Sequence, residues 1–333
     1  MRRPAYLSPT SLTIFNEDKI RYYLLYLADT KCPRDPQTEP MAIGSSFDAY
    51  VKNYLHEKLF GAGNDPRFDL RTLFEAQVEP GCRDKAWVAG KYVFDLYKQS
   101  GALTDMMVEL NASVTTPRFE FDLMGIVDHK REGVEKELGG VPLLGKPDLF
   151  YTNKNNARVI HDWKVNGYYS KTGASPKSGY VRLREVGKPY SAHKNAMPMM
   201  CKGILINVAQ TMDMVAVDWA QQLAVYMWLC GEDVGTQDCI ASIDQIVCRP
   251  GGVMPAIRFA EHRCKVSAPF QLSVFEKAQE AWDIITSGHY FRDMTLEDSQ
   301  KRCAMLDSFH KDIMERTEVT SNEQWHAQVS RPY

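Results

Sequence analysis

Gly145-Lys146-Pro147-Asp148, a polar turn over Thr152 to Asn156, and Val159-Ile160-His161-Asp162-Trp163-Lys164 together decide the fold of this chain. Two apolar segments separated by turn-forming residues read as a β-hairpin. Alternate residues of a strand share a face, so Asp162 and Lys164 project together at about 6 to 7 Å spacing. A pairing of Tyr151 with Val159 places Asp148 opposite Asp162, their Cα atoms roughly 4.5 to 5.5 Å apart. Carboxylates that close repel each other unless a cation lies between them, and oxygen-only ligands select a hard ion such as Mg2+ or Mn2+. A lysine beside such an ion orients an attacking water and offsets charge at a phosphate. Acid-x-Lys triplets also occur at Glu17-Asp18-Lys19 and Asp128-His129-Lys130. What separates Asp162-Trp163-Lys164 from them is the preceding Asp148 and a downstream helix that carries Gln222 and Tyr226 on one face, one turn apart.

Outward from the hairpin, the first hundred residues read as mostly helical. Pro9-Thr10-Ser11 opens a run with Leu12, Phe15, Ile20, Tyr23, Leu24 and Leu27 at three- and four-residue spacings, which Pro33, Pro36 and Pro40 then break. Further helices are expected over 44–59 and 84–99. After Gly101 the texture becomes that of strands, over 113–121, 134–144, 146–151 and 158–165. Gly, Ser, Pro, Lys and Tyr crowd residues 166–203, a composition suited to a long surface loop. A strand is expected over 204–208, a helix over 218–230, strands over 240–248 and 256–265, and helices over 269–286 and 296–315. The tail 317–333 reads as loose. The fold class that follows is α/β, a central mixed sheet flanked by helices, with a helical N-terminal part.

The chain has 333 residues, 44% of them hydrophobic and 25% charged, so a sizeable core is available. The longest apolar run, Leu223 to Cys230, falls far short of the roughly 20 residues a membrane-crossing helix needs. Pro4, Ser8, Pro9, Thr10 and Ser11 stand where a secretory leader would be apolar. Eight cysteines, with no C-x2-C pair, read as reduced thiols of a cytoplasmic protein. The net charge of -2 gives no sign of a nucleic-acid partner, but its distribution does. Between Lys164 and Lys202, eight basic residues face Glu185 alone, a local charge of +7. Tyr168, Tyr169, Tyr180 and Tyr190 are interleaved with them, a mixture suited to backbone contacts and base stacking on single-stranded or frayed DNA. The DNA-contacting residues expected there are Lys171, Lys177, Arg182, Arg184, Lys188 and Lys194.

Asp148, Asp162-Trp163-Lys164 and Gln222-x3-Tyr226, in this order, resemble the PD-(D/E)xK nuclease superfamily, specifically its RecB-like and phage exonuclease branch. Leu7-Ser8-Pro9-Thr10-Ser11 with Tyr22-Tyr23 is similar to that branch's opening helix, and Gly44-Ser45-Ser46-Phe47-Asp48 occupies the place of its G-x-x-x-H motif. The resemblance implies a restriction-endonuclease-like core over residues 1–316, with 166–203 as a basic insertion. It further implies divalent-metal-dependent hydrolysis of DNA, as an exonuclease serving recombination or processing in a phage or bacterium. Asp148 and Asp162 would hold Mg2+ or Mn2+, with the Trp163 carbonyl as a further ligand. Lys164 would position the nucleophilic water, and Gln222 and Tyr226 would brace the site. Asp48 stands where the branch has histidine, which makes it a candidate oxygen ligand and suits Mg2+. Some relatives hold an iron-sulfur cluster. Here the late cysteines Cys239, Cys248, Cys264 and Cys303 are 9, 16 and 39 residues apart, so no cluster is expected. The partners implied are DNA, single-stranded or at duplex ends, with a recombination protein or a second copy of the chain beside it. The rival reading is a catalytically silent nuclease fold that binds DNA or another protein.

Overall fold

The computed structural model describes residues 2–29, 32–129, 138–165, 168, 217–231, 239–249, 256–264, 266, 268–288, 291 and 304. Ser8 and Ser11 cap the first helix, α1 (Pro9–Glu17), reciprocally. The Ser11 N–H donates to the Ser8 hydroxyl at 3.2 Å and the Ser8 N–H to the Ser11 hydroxyl at 2.8 Å. Asp18 caps α2 (Lys19–Tyr22), which runs into a π-helical turn at Tyr23–Leu27. The third helix, α3 (Glu39–Phe60), begins before the expected Gly44. Pro40 does not break it but sits in its first turn, where a missing N–H has no partner to lose. Helices α4 (Leu70–Gln77), α5 (Arg83–Gln99) and α6 (Ala102–Asn111) follow.

In chain order the strands are β1 (Arg118–Phe119), β2 (Leu123–His129), β3 (Leu138–Gly145), β4 (Leu149–Thr152) and β5 (Arg158–Val165), then β6 (Cys239–Arg249) and β7 (Ala256–Cys264). Helix α7 (Val217–Cys230) precedes β6, and α8 (Ala268–Ser287) follows β7. The central sheet has the order β1-β4-β5-β6-β7. It is mixed: β5 and β6 run parallel, and the other three pairs are antiparallel. Tyr151 pairs with Val159, the register on which the convergence of Asp148 and Asp162 depends. One apolar core, including Ile160, Ala241 and Ile243, joins the sheet to α1, α7 and α8. A second, including Val159, Trp163 and Ile246, joins its other face to α3, α5 and α6. The sheet is therefore flanked by helices on both faces.

Residues 138–145 do not extend that sheet. β3 pairs with β2 in a separate two-stranded sheet, to which Leu7 adds a bridge at Leu143. The ribbon packs on α7, where a Cβ on Gly125 would stand 3.0 Å from the Trp228 and Leu229 side chains. Because α7 meets both sheets, residues 223–227 are all buried. The thiol expectation fails at Cys32, which is joined in a disulfide, whereas Cys82, Cys230 and Cys248 are free. A cysteine count reports a compartment's statistics and not which sulfurs the fold brings together. No described helix is long and apolar enough to cross a membrane. The expected strand over 204–208, the helix over 296–315 and the tail 317–333 lie outside the described residues, as does nearly all of the basic segment 166–203.

Candidate active site

The site stands at the end of the sheet where β4 begins and β5 finishes. Strand parity turns Asp162 and Lys164 toward α7, and the Lys164 ammonium lies 2.5 Å from Asp162 Oδ2. Lys164 Nζ also donates to Gln222 Oε1 at 3.1 Å, and Gln222 Nε2 donates to the Tyr226 hydroxyl at 3.0 Å. One turn of α7 thus fixes the lysine on the strand. Asp148, opposite Asp162, accepts from the Trp163 N–H at 3.3 Å and shares a side-chain hydrogen bond with Asp162.

The other side of Asp148 meets α3. Lys52, four residues after Asp48 on the same helix face, is a fully buried lysine, its side chain 1% exposed. Its ammonium lies 2.6 Å from Asp48 Oδ2, 2.5 Å from Glu120 Oε1 and 3.0 Å from Asp148 Oδ1. Glu120 follows β1 directly and has a positive φ of 42°, a strained conformation for a residue other than glycine. Its N–H donates to the Asp148 carbonyl at 3.3 Å, and Gln77 Nε2 donates to its Oε1 at 3.0 Å. Strain of this kind persists where surrounding contacts over-determine it, commonly at functional positions. Behind α3, Gly90 of α5 allows close helix contact, since a Cβ there would fall 2.2 Å from Ser46 Oγ and 2.9 Å from the Phe47 nitrogen.

These neighbours set the protonation of the site. Burial, only partly offset by Lys52, lifts the Asp48 carboxyl to about 7. Burial also lifts Asp162, to about 6, with Lys164 opposing and Asp148 reinforcing the shift. Asp148 moves the other way: burial opposes its charge, but Lys52 and Lys164 outweigh it and hold the carboxyl below its ordinary range. Burial disfavours both ammonium groups, yet the surrounding carboxylates raise both above the usual lysine value, so both stay charged. Burial and Asp162 lift Tyr226 to about 12, so its hydroxyl is neutral. Below about pH 6 Asp162 keeps its proton beside the ionised Asp148, and above it Lys52 and Lys164 offset the charge of the pair.

Asp48, Glu120 and Asp148 each offer a carboxylate oxygen, and the three oxygens lie within 4.8 Å of one another. Opposite ligands on one Mg2+ stand about 4 Å apart, so the donor set matches a hard cation in both chemistry and reach. Asp48 Oδ1 is buried with no hydrogen-bond partner, the kind of orphaned acceptor that a ligand satisfies.

Asp148, Asp162, Lys164, Gln222 and Tyr226 are thus brought together, with Asp48 beside them. At Trp163 it is the N–H that engages Asp148. Lys171, Lys177, Arg182, Arg184, Lys188 and Lys194 lie outside the described residues. Sequence reasoning missed Lys52 and Glu120. A lysine on the buried stripe of α3 was the available signal for Lys52, whereas a lone acid after a two-residue strand carries none. His161, one residue out of step with Asp162 on the strand, is buried on the opposite face, 3.5 Å from Asp244. Tyr97 donates to the same carboxylate.

A family model described as the PD-(D/E)XK nuclease superfamily matches residues 6–180, which include Asp48, Glu120, Asp148, Asp162 and Lys164 and stop short of Gln222. No curated protein matches the chain. Among solved structures, one described as the crystal structure of SSO0001 aligns over 83% of this chain and 84% of that chain, at 10% identity and a TM-score of 0.27. An overlap that loose bears on neither fold nor function.

Proposed function

The chain belongs to the PD-(D/E)XK nuclease superfamily, and from that premise we propose that it is a divalent-metal-dependent deoxyribonuclease, an exonuclease of phage or bacterial DNA recombination and processing. The observation that carries this reading is the wired row Asp148, Asp162, Lys164, Gln222 and Tyr226 beside the Asp48, Glu120 and Asp148 carboxylates. Those three carboxylates, with Asp162 and the Trp163 carbonyl, are the groups that would hold Mg2+ or Mn2+. When bound, the ion would supply charge neutralisation at the scissile phosphate and a more acidic attacking water.

Lys164, charged and held between Asp162 and Gln222, would orient an attacking water and offset charge that develops on the phosphate. Tyr226, neutral, keeps Gln222 aligned. Asp162 exchanges its proton as the site ionises, leaving an acceptor beside Lys164. Lys171, Lys177, Arg182, Arg184, Lys188 and Lys194 would hold the DNA backbone, as cations that release counterions. Two apolar cores against one sheet support reading residues 1–316 as one domain.

The silent-fold reading draws on one observation: Lys52 already stands among the three carboxylates. End-labelled linear DNA and closed circular DNA, incubated with Mg2+, with Mn2+ and with chelator, decide between the two. Loss of label from the linear DNA alone, blocked by chelator and by Asp162→Asn, is the expected result. Cleavage of circles at the same rate would make the enzyme an endonuclease, and cleavage untouched by Asp162→Asn would remove the site.

A further inference from the structure

Glu120 has a second neighbourhood. It forms part of the wall of a cavity of about 620 Å³ that lies between the α3 C-terminal turn, the segment before α4 and the residues flanking β1. Five aromatic rings meet there: His56 stacks on Phe68 with centroids 4.1 Å apart and planes 8° from parallel, and Phe60, Phe119 and Phe121 complete the group. Cations stand at the same wall. The Arg118 guanidinium lies 3.8 Å above the Phe121 ring, and Lys146 Nζ is 3.4 Å from Glu120 Oε2. Arg118 is exposed and makes no ion pair with a described residue.

We propose that this cavity is the subsite for an unpaired nucleotide of the DNA strand being cut. One base enters among the aromatic rings against Phe121, and Arg118 and Lys146 take the flanking phosphates. The inference rests on the nuclease reading and adds to it the state of the substrate, a single-stranded end. Three observations carry it. Aromatic faces beside exposed cations are the chemistry that binds single strands without sequence preference. Glu120 belongs both to the cavity wall and to the carboxylate cluster, so a nucleotide seated there has its phosphodiester next to the metal-holding groups. The third observation is size. A volume of 620 Å³ is a cube about 8.5 Å on a side, room for a base turned out of its stack and not for an intact helix.

The test measures binding and cutting separately on the full chain. The probes are a fluorescein-labelled deoxythymidine ten-mer and a blunt duplex of equal length, read by anisotropy in Ca2+ with gel verification that they stay intact. The wild type is expected to bind the single strand more tightly. Stacking is worth about 1–3 kcal/mol per base, so Phe121→Ala is expected to weaken single-strand binding by about 5- to 150-fold, and Phe121→Tyr to restore it. Arg118→Gln, at an exposed position that does not threaten folding, is expected to reduce the slope of log affinity against log salt by about one unit. Equal affinity for both probes, a Phe121→Ala change within twofold, or equal losses in the alanine and tyrosine variants would overturn the subsite. The nuclease reading stands or falls on a different measurement, cleavage of labelled DNA in Mn2+ by wild type against Asp162→Asn.

Discussion

Replacing Lys52 by methionine removes one charge and keeps most of the volume. Around the missing ammonium stand Asp48, Glu120 and Asp148, with oxygens within 4.8 Å of one another. At an effective dielectric of about 20, two unit charges at that separation repel by about 3.5 kcal/mol, equivalent to roughly 2.5 pKa units. Without Lys52 the cluster can relieve that repulsion only by taking up further protons or by opening. Breaking a buried charge pair through loss of one partner typically costs about 3–5 kcal/mol, and a lysine shared by three acids belongs at the upper end. Against a total stability of about 5–15 kcal/mol that is a large fraction. The assay is urea unfolding of wild type and Lys52→Met at pH 8 and pH 5, each with and without Mg2+. The expected loss is about 4 kcal/mol at pH 8 in chelator, smaller at pH 5 where the acids are protonated, and smaller again with metal, which replaces the missing cation. A loss below about 1 kcal/mol, or one that neither pH nor metal changes, would refute the view that Lys52 neutralises the cluster.

Other measurements probe the remaining parts. Asp48 and Asp162 are raised to about 7 and about 6 in the folded chain, above unfolded values near 4. The folded state therefore binds more protons between those limits, and metal-free stability should fall as pH climbs from about 4 to 7, while the melting-temperature rise on adding Mg2+ grows across the same range; flat profiles would contradict the shifts. Lys164→Met should abolish cleavage and leave the single-strand anisotropy signal within a few fold. Gly145→Ala places a Cβ 2.6 Å from Tyr226 Cδ1 and 2.7 Å from Leu229 Cδ1, so it should destabilise by about 1–3 kcal/mol and lower kcat by pushing Tyr226 off Gln222. Asp48→His adds nitrogen to an oxygen set and should move activity from Mg2+ toward Mn2+, with unchanged metal preference showing that Asp48 does not reach the ion.

The parts of the site legible in the sequence are those set by local periodicity. The Tyr151–Val159 register and the two-residue strand period placed Asp148, Asp162 and Lys164, and the helical period placed Gln222 one turn from Tyr226. What escaped depends on contacts between elements distant in sequence. Lys52 joins α3 to residues 68 and 96 positions away, so its place on the buried stripe of the helix marks it as unusual without naming its partners. β2 went unread because Met124 and Ile126, its outward residues, are apolar and exposed, which erases the alternation that signals a half-buried strand. The short helices α4 and α6 were missed amid the mixed composition around them, and Pro40 was read as a stop where it is a start.

The two lysines also set the charge that a divalent cation would meet at this site. Four carboxylates, Asp48, Glu120, Asp148 and Asp162, surround Lys52 and Lys164, so the fully ionised group carries a charge of -2. Without metal, protons on Asp48 and Asp162 supply the balance, and those are the two acids lifted toward neutrality. A single divalent cation would supply the same balance in their place, so binding near pH 6 would be an exchange of one dication for up to two protons. Lys52 is therefore part of the count and not a substitute for the ion. Removing it leaves -3, a site that should draw metal more strongly yet remain anionic once loaded, and an anionic site repels the phosphodiester that the proposed activity would bring to it.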